Sequence, residues 1–208
     1  MTQFLQNVVN GLSDGAIYAS LALALVLIYR ATHLLNFAQG EMGMFSTYIC
    51  WALIAHHGFS YWPAFAVTLA VSFVGGVGIH RTIIRPLDRL GASELTVVMA
   101  TIALLLVVNG LASWIWNPEE KIAPSPFPNE TWDVGGVAIS KQSVGVLGVV
   151  VVCVALLWAF IRFTKLGLAL RASANNQASA RLLGVRVPWM LGIGWGLAAM
   201  LSAVAGMM

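Results

Sequence analysis

Residues 164–188 read TKLGLALRASANNQASARLLGVRVP, a long polar and basic interruption in the second half of an otherwise apolar chain. The stretch carries Lys165, Arg171, Arg181 and Arg186 with no acidic residue, and it separates two segments that are each apolar enough to cross a bilayer. Lys and Arg are retained on the cytoplasmic side of membrane proteins, so a cytoplasmic loop is expected here. Inside it, Ser173 or Asn175 can cap a helix start, Gln177 to Leu183 are mostly helix-compatible, and Gly184 stands where a C-terminal glycine ends a helix. The expectation is a short helix lying along the membrane surface. On charge alone, a loop that merely fixes topology accounts for the same residues equally well.

Composition supports the membrane reading. Charged residues make up 9% of the chain and hydrophobic ones 59%, where an ordinary soluble domain has about 25% charged. A bilayer core of ~30 Å needs about 20 apolar residues per helix. The chain is therefore counted in spans, and the expected fold is an all-α polytopic transmembrane helix bundle forming one domain over 1–208, with the loop 164–188 inside it. The net charge of +3 is no nucleic-acid footprint, because the basic residues cluster in loops. Membrane lipid, and no nucleic acid, is the expected surrounding. Cys50 and Cys153 lie in apolar runs without metal-ligand spacing and read as buried, inert thiols. The chain has no GxxxxGK, HExxH or GxSxG pattern, so no catalytic residue, metal or cofactor is expected, and any energy source must come from a partner.

Residues 1–29 hold no Lys or Arg, so the first apolar run lacks the positive flank of a cleavable signal peptide. Residues 10–29 read as a first transmembrane helix, with Gly11 and Gly15 as a small-residue packing edge and Arg30 ending it inside. The N-terminus is then outside. Further spans are expected at 64–84, 95–116 and 143–163. Another begins at Trp189 and is still apolar at Met208, so the chain is expected to continue beyond it. Between the spans, 85–94 is a short inner connection. Residues 117–142, with Pro124, Pro126 and Pro128 and the acids Glu119, Glu120, Glu130 and Asp133, form an outer loop. Asn129-Glu130-Thr131 matches a glycosylation sequon, a weak signal. Basic residues fall inside at 30, 81–89 and 162–186, leaving Lys121 and Lys141 outside among acids. His33 and His80, beside arginines near the inner boundary, are expected to be solvated at the interface.

The second segment, 32–55, carries Asn36, Gln39 and Glu41 around Gly40 and Gly43. A broken or re-entrant helix is expected, facing the bundle interior, where protein or a water-filled cavity can satisfy the freed backbone. An ionisable group at membrane depth costs about 3 kcal/mol or more and normally faces a partner or cavity. Glu41, with Asn36, Gln39 and Gly40, is thus a candidate for the translocation path or its gate. The alternative is a set of structural hydrogen bonds within the break. Asn109 reads as interhelical glue.

Three stretches then resemble one family. They are NGLSDGAIYASLALALVLIYRATHLLNFAQGEMGMFSTY, RPLDRLGASELTVVMATIALLLVVNG and the basic segment quoted first. Together and in this order they are similar to the branched-chain amino acid permeases of ATP-binding cassette importers. The Glu-Ala-Ala-x-x-x-Gly pattern of importer permeases is incomplete: with its glycine on Gly184, Ala178-Ser179-Ala180 stand at its head and the glutamate is missing. Ala103 stands where many relatives carry glycine. The resemblance implies a non-catalytic permease subunit of the bacterial inner membrane, working with ATP-binding cassette ATPase subunits, a second permease subunit and a periplasmic substrate-binding protein. It implies that 164–188 is the coupling segment, with Arg171, Asn175, Asn176, Ala180, Leu183 and Gly184 nearest the ATPase. Branched-chain, hydrophobic amino acids are the implied substrates; urea and short amides, carried by the same family, are the alternative. An ATPase-independent secondary transporter would keep buried ionisable residues for ion coupling, and only Asp14 and Glu41 qualify.

Overall fold

A computed structural model describes residues 2–32, 34–117, 121, 125–128, 130–134 and 137–208. His33, Glu119, Glu120, Pro124 and Asn129 lie outside the described residues. The helices are α1 Thr2–Thr32, α2 Gln39–His57, α3 Tyr61–Ile79, α4 Arg85–Arg89, α5 Glu94–Trp116, α6 Lys141–Phe163, α7 Lys165–Asn175, α8 Gln177–Leu182 and α9 Val187–Met207. The spans Gln6–Arg30, Tyr61–Arg89, Glu94–Trp116, Lys141–Phe163 and Val187–Met207 are long and apolar enough to cross a membrane. The protein is a multi-pass, all-α membrane bundle.

The core of that bundle is α9. Two thirds of its apolar window, 67%, is buried, against 11–28% in the other spans. Lipid tails are as apolar as the helices, so helix association rests on close packing rather than on escape from water. Small residues provide it here. A Cβ added at Gly43 of α2 would come within 2.8 Å of the Ser202 carbonyl oxygen, and one at Gly76 of α3 within 2.6 Å of the Trp195 carbonyl. The edge expected at Gly11 and Gly15 meets no other helix of this chain: a Cβ added at either would find nothing within 4 Å among the described residues. Instead α1 turns Ser13, Ser20, Ala24 and Ile28 inward, a spacing that keeps one helical face on the core. α1 also extends beyond the expected 10–29, since residues 2–9 contain neither Gly nor Pro to stop it.

The span after α3 departs from regular helix. Residues His80–Ile84 form a π turn, closed by the Arg85 N–H donating to the His80 carbonyl, and α4 continues from it into the stretch expected to be an inner connection. Chain 164–188, expected as a loop with one short helix, contains two. Thr164 ends α6 and starts α7: its Oγ1 donates to the Phe160 carbonyl at 2.7 Å and accepts from the Gly167 N–H at 2.9 Å. A side chain at Gly167 would collide with the Ile161 and Phe160 carbonyls, so the corner is tight. At the opposite end of the bundle, the loop expected after α5 contains an antiparallel hairpin, β1 Thr131–Val134 with β2 Val137–Ser140, pairing Thr131 with Ser140. Glu130 closes its base by an ion pair with Lys141. Their hydrogen bond and the Lys141 charge hold the Glu130 carboxyl below the usual range.

Candidate transport and docking sites

Polar residues expected at membrane depth converge on the start of α2. Ala198 lies eleven residues beyond the start of α9 at Val187, about 16 Å along the axis at 1.5 Å per residue. Gln39 reaches it, so α2 begins at mid-depth, not at the arginine-bearing end where α1 finishes. Residues 34–38 climb to that depth without regular helix, and side chains take up part of the backbone freed there, as an apolar surrounding demands. The Ala38 N–H donates to Asn36 Oδ1 at 3.1 Å, and the Phe37 N–H donates to Thr101 Oγ1 at 3.4 Å. Asn36 Nδ2 donates to Gln39 Oε1 at 2.8 Å. Gln39 Nε2 donates to the Ala198 carbonyl at 2.9 Å and to Ser202 Oγ at 2.5 Å. Asn36 and Gln39 are 1% and 2% exposed. The break thus lies wholly before Gln39, and the helix runs unbroken through Gly40 and Gly43.

Gly40 and Glu41 face differently. Gly40 borders a cavity of about 440 Å³ with Met44, Thr47, Tyr48, Trp51, Lys121 and Gly206. Glu41 Oε2 accepts from Asn109 Nδ2 at 3.2 Å, tying α2 to α5. The four residues expected together therefore divide: Asn36 and Gln39 are locked inside the protein, while Gly40 borders open space and Glu41 is half-buried against Asn109. A second cavity of about 280 Å³ lies among α2, α3, α5 and α9. Its lining is apolar apart from Ser46 and Ser72, whose hydroxyls bond each other at 2.8 Å. Thr101 and Ser202, partners of the break, were not singled out by the sequence. The available signal was a lone hydroxyl residue in an apolar helix, which is common and names no partner.

His80 overturns the expectation of interfacial solvation. It is 1% exposed, and its ring lies against Gly192 and Trp195 of α9. The π turn draws that side of the helix into the bundle. Cys50 is buried and Cys153 partly so, while Asp14 is exposed on α1.

At the arginine-bearing end, α8 is capped at both termini. Its N-cap is Asn176, whose Oδ1 accepts from the Ser179 N–H at 3.0 Å. Neither expected cap serves: Ser173 is buried inside α7, and Asn175 is the last residue of α7. Asn176 alone has the extended backbone that a cap needs. Beyond α8, Gly184 takes φ +80, its N–H donates to the Arg181 carbonyl, and the Val185 N–H donates to the Ala180 carbonyl, both at 3.0 Å. This double closure requires a left-handed residue. Arg171, Asn175, Asn176, Leu183 and Gly184 are exposed together, but Ala180 is not. Expected at the contact, Ala180 packs inward on Val187 and Leu191, where its small side chain lets α8 lie close to α9. Leu182, unmentioned by the sequence reading, is 89% exposed beside Leu183 at 82%.

Fold and sites together define a multi-pass membrane transport subunit. The profile of the family described as "Branched-chain amino acid transport system / permease component" matches residues 7–208, and the chain belongs to that family. It is similar to the high-affinity branched-chain amino acid transport system permease protein BraD of Pseudomonas aeruginosa, with 29% identity covering 99% of this chain and 70% of the relative. LivH of Escherichia coli, described in the same words, is 26% identical over 99% of this chain and 70% of its own. The probable branched-chain amino acid transport permease protein LivH of Methanocaldococcus jannaschii is 30% identical, over 93% of this chain and 64% of its own. No solved structure matches the chain significantly.

Proposed function

We propose that this chain is a non-catalytic permease subunit of an ATP-driven importer for branched-chain, hydrophobic amino acids, with α8 as the helix that docks on the ATPase. In this reading the protein lies in the bacterial inner membrane with its N-terminus outside. Residues 1–208 belong to one permease domain, with 164–188 as its coupling segment. It works beside a second permease subunit and receives substrate from a periplasmic binding protein. The observation that carries the proposal is the exposed Leu182–Leu183 pair on a doubly capped helix, at the end where the arginines gather. Adjacent leucines in water beside a membrane are a poor arrangement unless a partner covers them. Arg171 and Arg181 supply a charged rim of the kind that surrounds an apolar interface centre. The relatives' substrate, carried over to this chain, fits the apolar bundle; in this reading Gly40, which borders the cavity of about 440 Å³, and Glu41, bonded to Asn109, belong to the translocation path or its gate.

The test replaces Leu182 and Leu183 with Asp. Both side chains are exposed, so insertion and thermal stability are expected to hold. If the pair forms the hot spot at the centre of the interface, where loss of a side chain costs about 2 kcal/mol or more, two buried charges are expected to lower retention of the ATPase on purification about tenfold or further, and ATP-driven leucine uptake with it. Normal retention and uptake in a normally expressed double variant would refute the docking role.

A further inference from the structure

A second feature of the arginine-bearing end is a polar cavity of about 320 Å³ between the π turn with α4 on one side and α8 with the start of α9 on the other. Its polar lining is His80, Arg85, Asp88, Arg89, Gln177 and Arg181. We propose that this cavity is an anion site that takes a phosphate group, either from the headgroup of an anionic phospholipid or as free phosphate.

The π turn builds the site. In an unbroken α-helix the residue one turn after His80 is Ile84; the wider turn, closed from the Arg85 N–H to the His80 carbonyl, swings Arg85 beneath His80. Arg89 follows one helical turn later. From the other wall, Gln177 and Arg181 stand one turn apart on α8. His80 is 1% exposed, lines the cavity and has no hydrogen-bond partner on either ring nitrogen; the buried Arg85 Nε likewise lacks one. Every protonation state of His80 has at least one N–H, and Arg Nε–H only donates. Buried donors without acceptors are costly and are rare in native proteins. Three arginines face one acid, Asp88, whose charge Arg181 partly answers, so the cavity keeps a net positive charge. Arg81 is not part of it, being stacked 3.6 Å from the Trp189 ring centroid.

An oxyanion with several acceptor atoms answers the donors and the charge together. The volume, set against the ~30 Å³ share of a liquid water, admits a polyatomic group. Basic pockets between membrane helices at the cytoplasmic side are also where anionic headgroups bind. Since the walls are α4 and α8, occupancy would brace the proposed docking helix against the bundle. Anion binding itself stands or falls independently of ATPase docking.

The experiment uses the assembled importer in detergent at fixed ionic strength. Dihexanoyl-phosphatidylglycerol and inorganic phosphate are titrated separately against wild type, Arg85→Gln, Arg89→Gln and the control Arg162→Gln, whose arginine lies outside the cavity. Loss of one charge-assisted contact should weaken binding about tenfold in each cavity variant and leave the control unchanged. Arg89 is exposed, so Arg89→Gln remains informative if Arg85→Gln fails to fold. Phosphatidylglycerol binding with this pattern identifies a lipid headgroup, and phosphate binding with the same pattern identifies a soluble anion. Equal binding by wild type and both cavity variants, or no binding of either probe at millimolar concentration, overturns the proposal. So does a crosslink from Arg181→Cys to an acidic segment of the ATPase in an importer that binds neither probe, because a protein side chain would then fill the cavity.

Discussion

Gln39 shows how one amide can hold a membrane bundle together. Its oxygen accepts from Asn36, and its nitrogen donates to the Ala198 carbonyl and to Ser202, so the break before α2 and the central helix α9 are tied through a single side chain. Replacing it with Leu keeps the volume but leaves Asn36 Nδ2 without its principal acceptor. An unsatisfied buried donor costs about 1–3 kcal/mol, so Gln39→Leu is expected to lower the unfolding midpoint in detergent, measured against wild type by thermal denaturation. A companion Ser202→Ala removes only an acceptor with an alternative nearby at Ala198 and should cost less. The need for this amide was legible in the sequence: Asn, Gln and Gly clustered in an apolar run signal freed backbone. Its partner was not, since Ser202 is 163 positions away and resembles any other serine in a helix. His80 misled for a related reason: arginines beside it suggested water, whereas a one-residue change in helical turn drew it inward.

Among elements, the contact between α2 and α9 separates glycines that matter from those that do not. At Gly43 the Ser202 backbone stands where a side chain would go, while a Cβ added at Gly11 of α1 would meet nothing within 4 Å among the described residues. Overpacking typically costs 1–3 kcal/mol. Gly43→Val is therefore expected to destabilise by about that much, with Gly11→Val close to neutral; paired melting curves in one detergent check both. The sequence presented the two as equals, because small-residue spacing marks a possible packing edge without saying which edge meets a neighbour. Gly184 is different again. A β-branched residue at φ +80 is sterically strained, so Gly184→Val should disturb the end of α8 and reduce ATP-driven uptake while membrane insertion stays normal. Uptake and membrane-fraction abundance, measured together, decide it. The position of this glycine was readable from the helix-ending pattern. The preceding helix α7 was not, because its basic residues and the serine and asparagines at its end read as loop, and Thr164 as a shared cap between α6 and α7 shows only when both helices are in place. The β1–β2 hairpin was hidden by the prolines and acids that precede it.

For the molecule as a whole, charge and packing sort the loops into the same two ends. Arg30 ends α1, Arg81 lies in the π turn, Arg162 ends α6, and Arg171, Arg181 and Arg186 surround α8. The Arg81–Trp189 stack, with Arg181 acting on Asp88, confirms that these segments meet at one end. The Glu130–Lys141 pair and the hairpin it closes occupy the other, where α2 and α3 also turn at Gly58. Positive loops resist translocation, so the arginine-bearing end is expected in the cytoplasm. Two single-cysteine reporters test this: Leu183→Cys, exposed beside α8, and Ser125→Cys, exposed before the hairpin. Cys50 is buried; it can remain, whereas the partly buried Cys153 is best changed to Ser first. A membrane-impermeant maleimide applied to intact spheroplasts should label Ser125→Cys and spare Leu183→Cys, and inside-out vesicles should reverse the result. Labelling of Leu183→Cys from the outer side would place α8 beyond the reach of any cytoplasmic ATPase. Docking would then fail on geometry, whatever the family resemblance, while the bundle around α9 would stand unchanged.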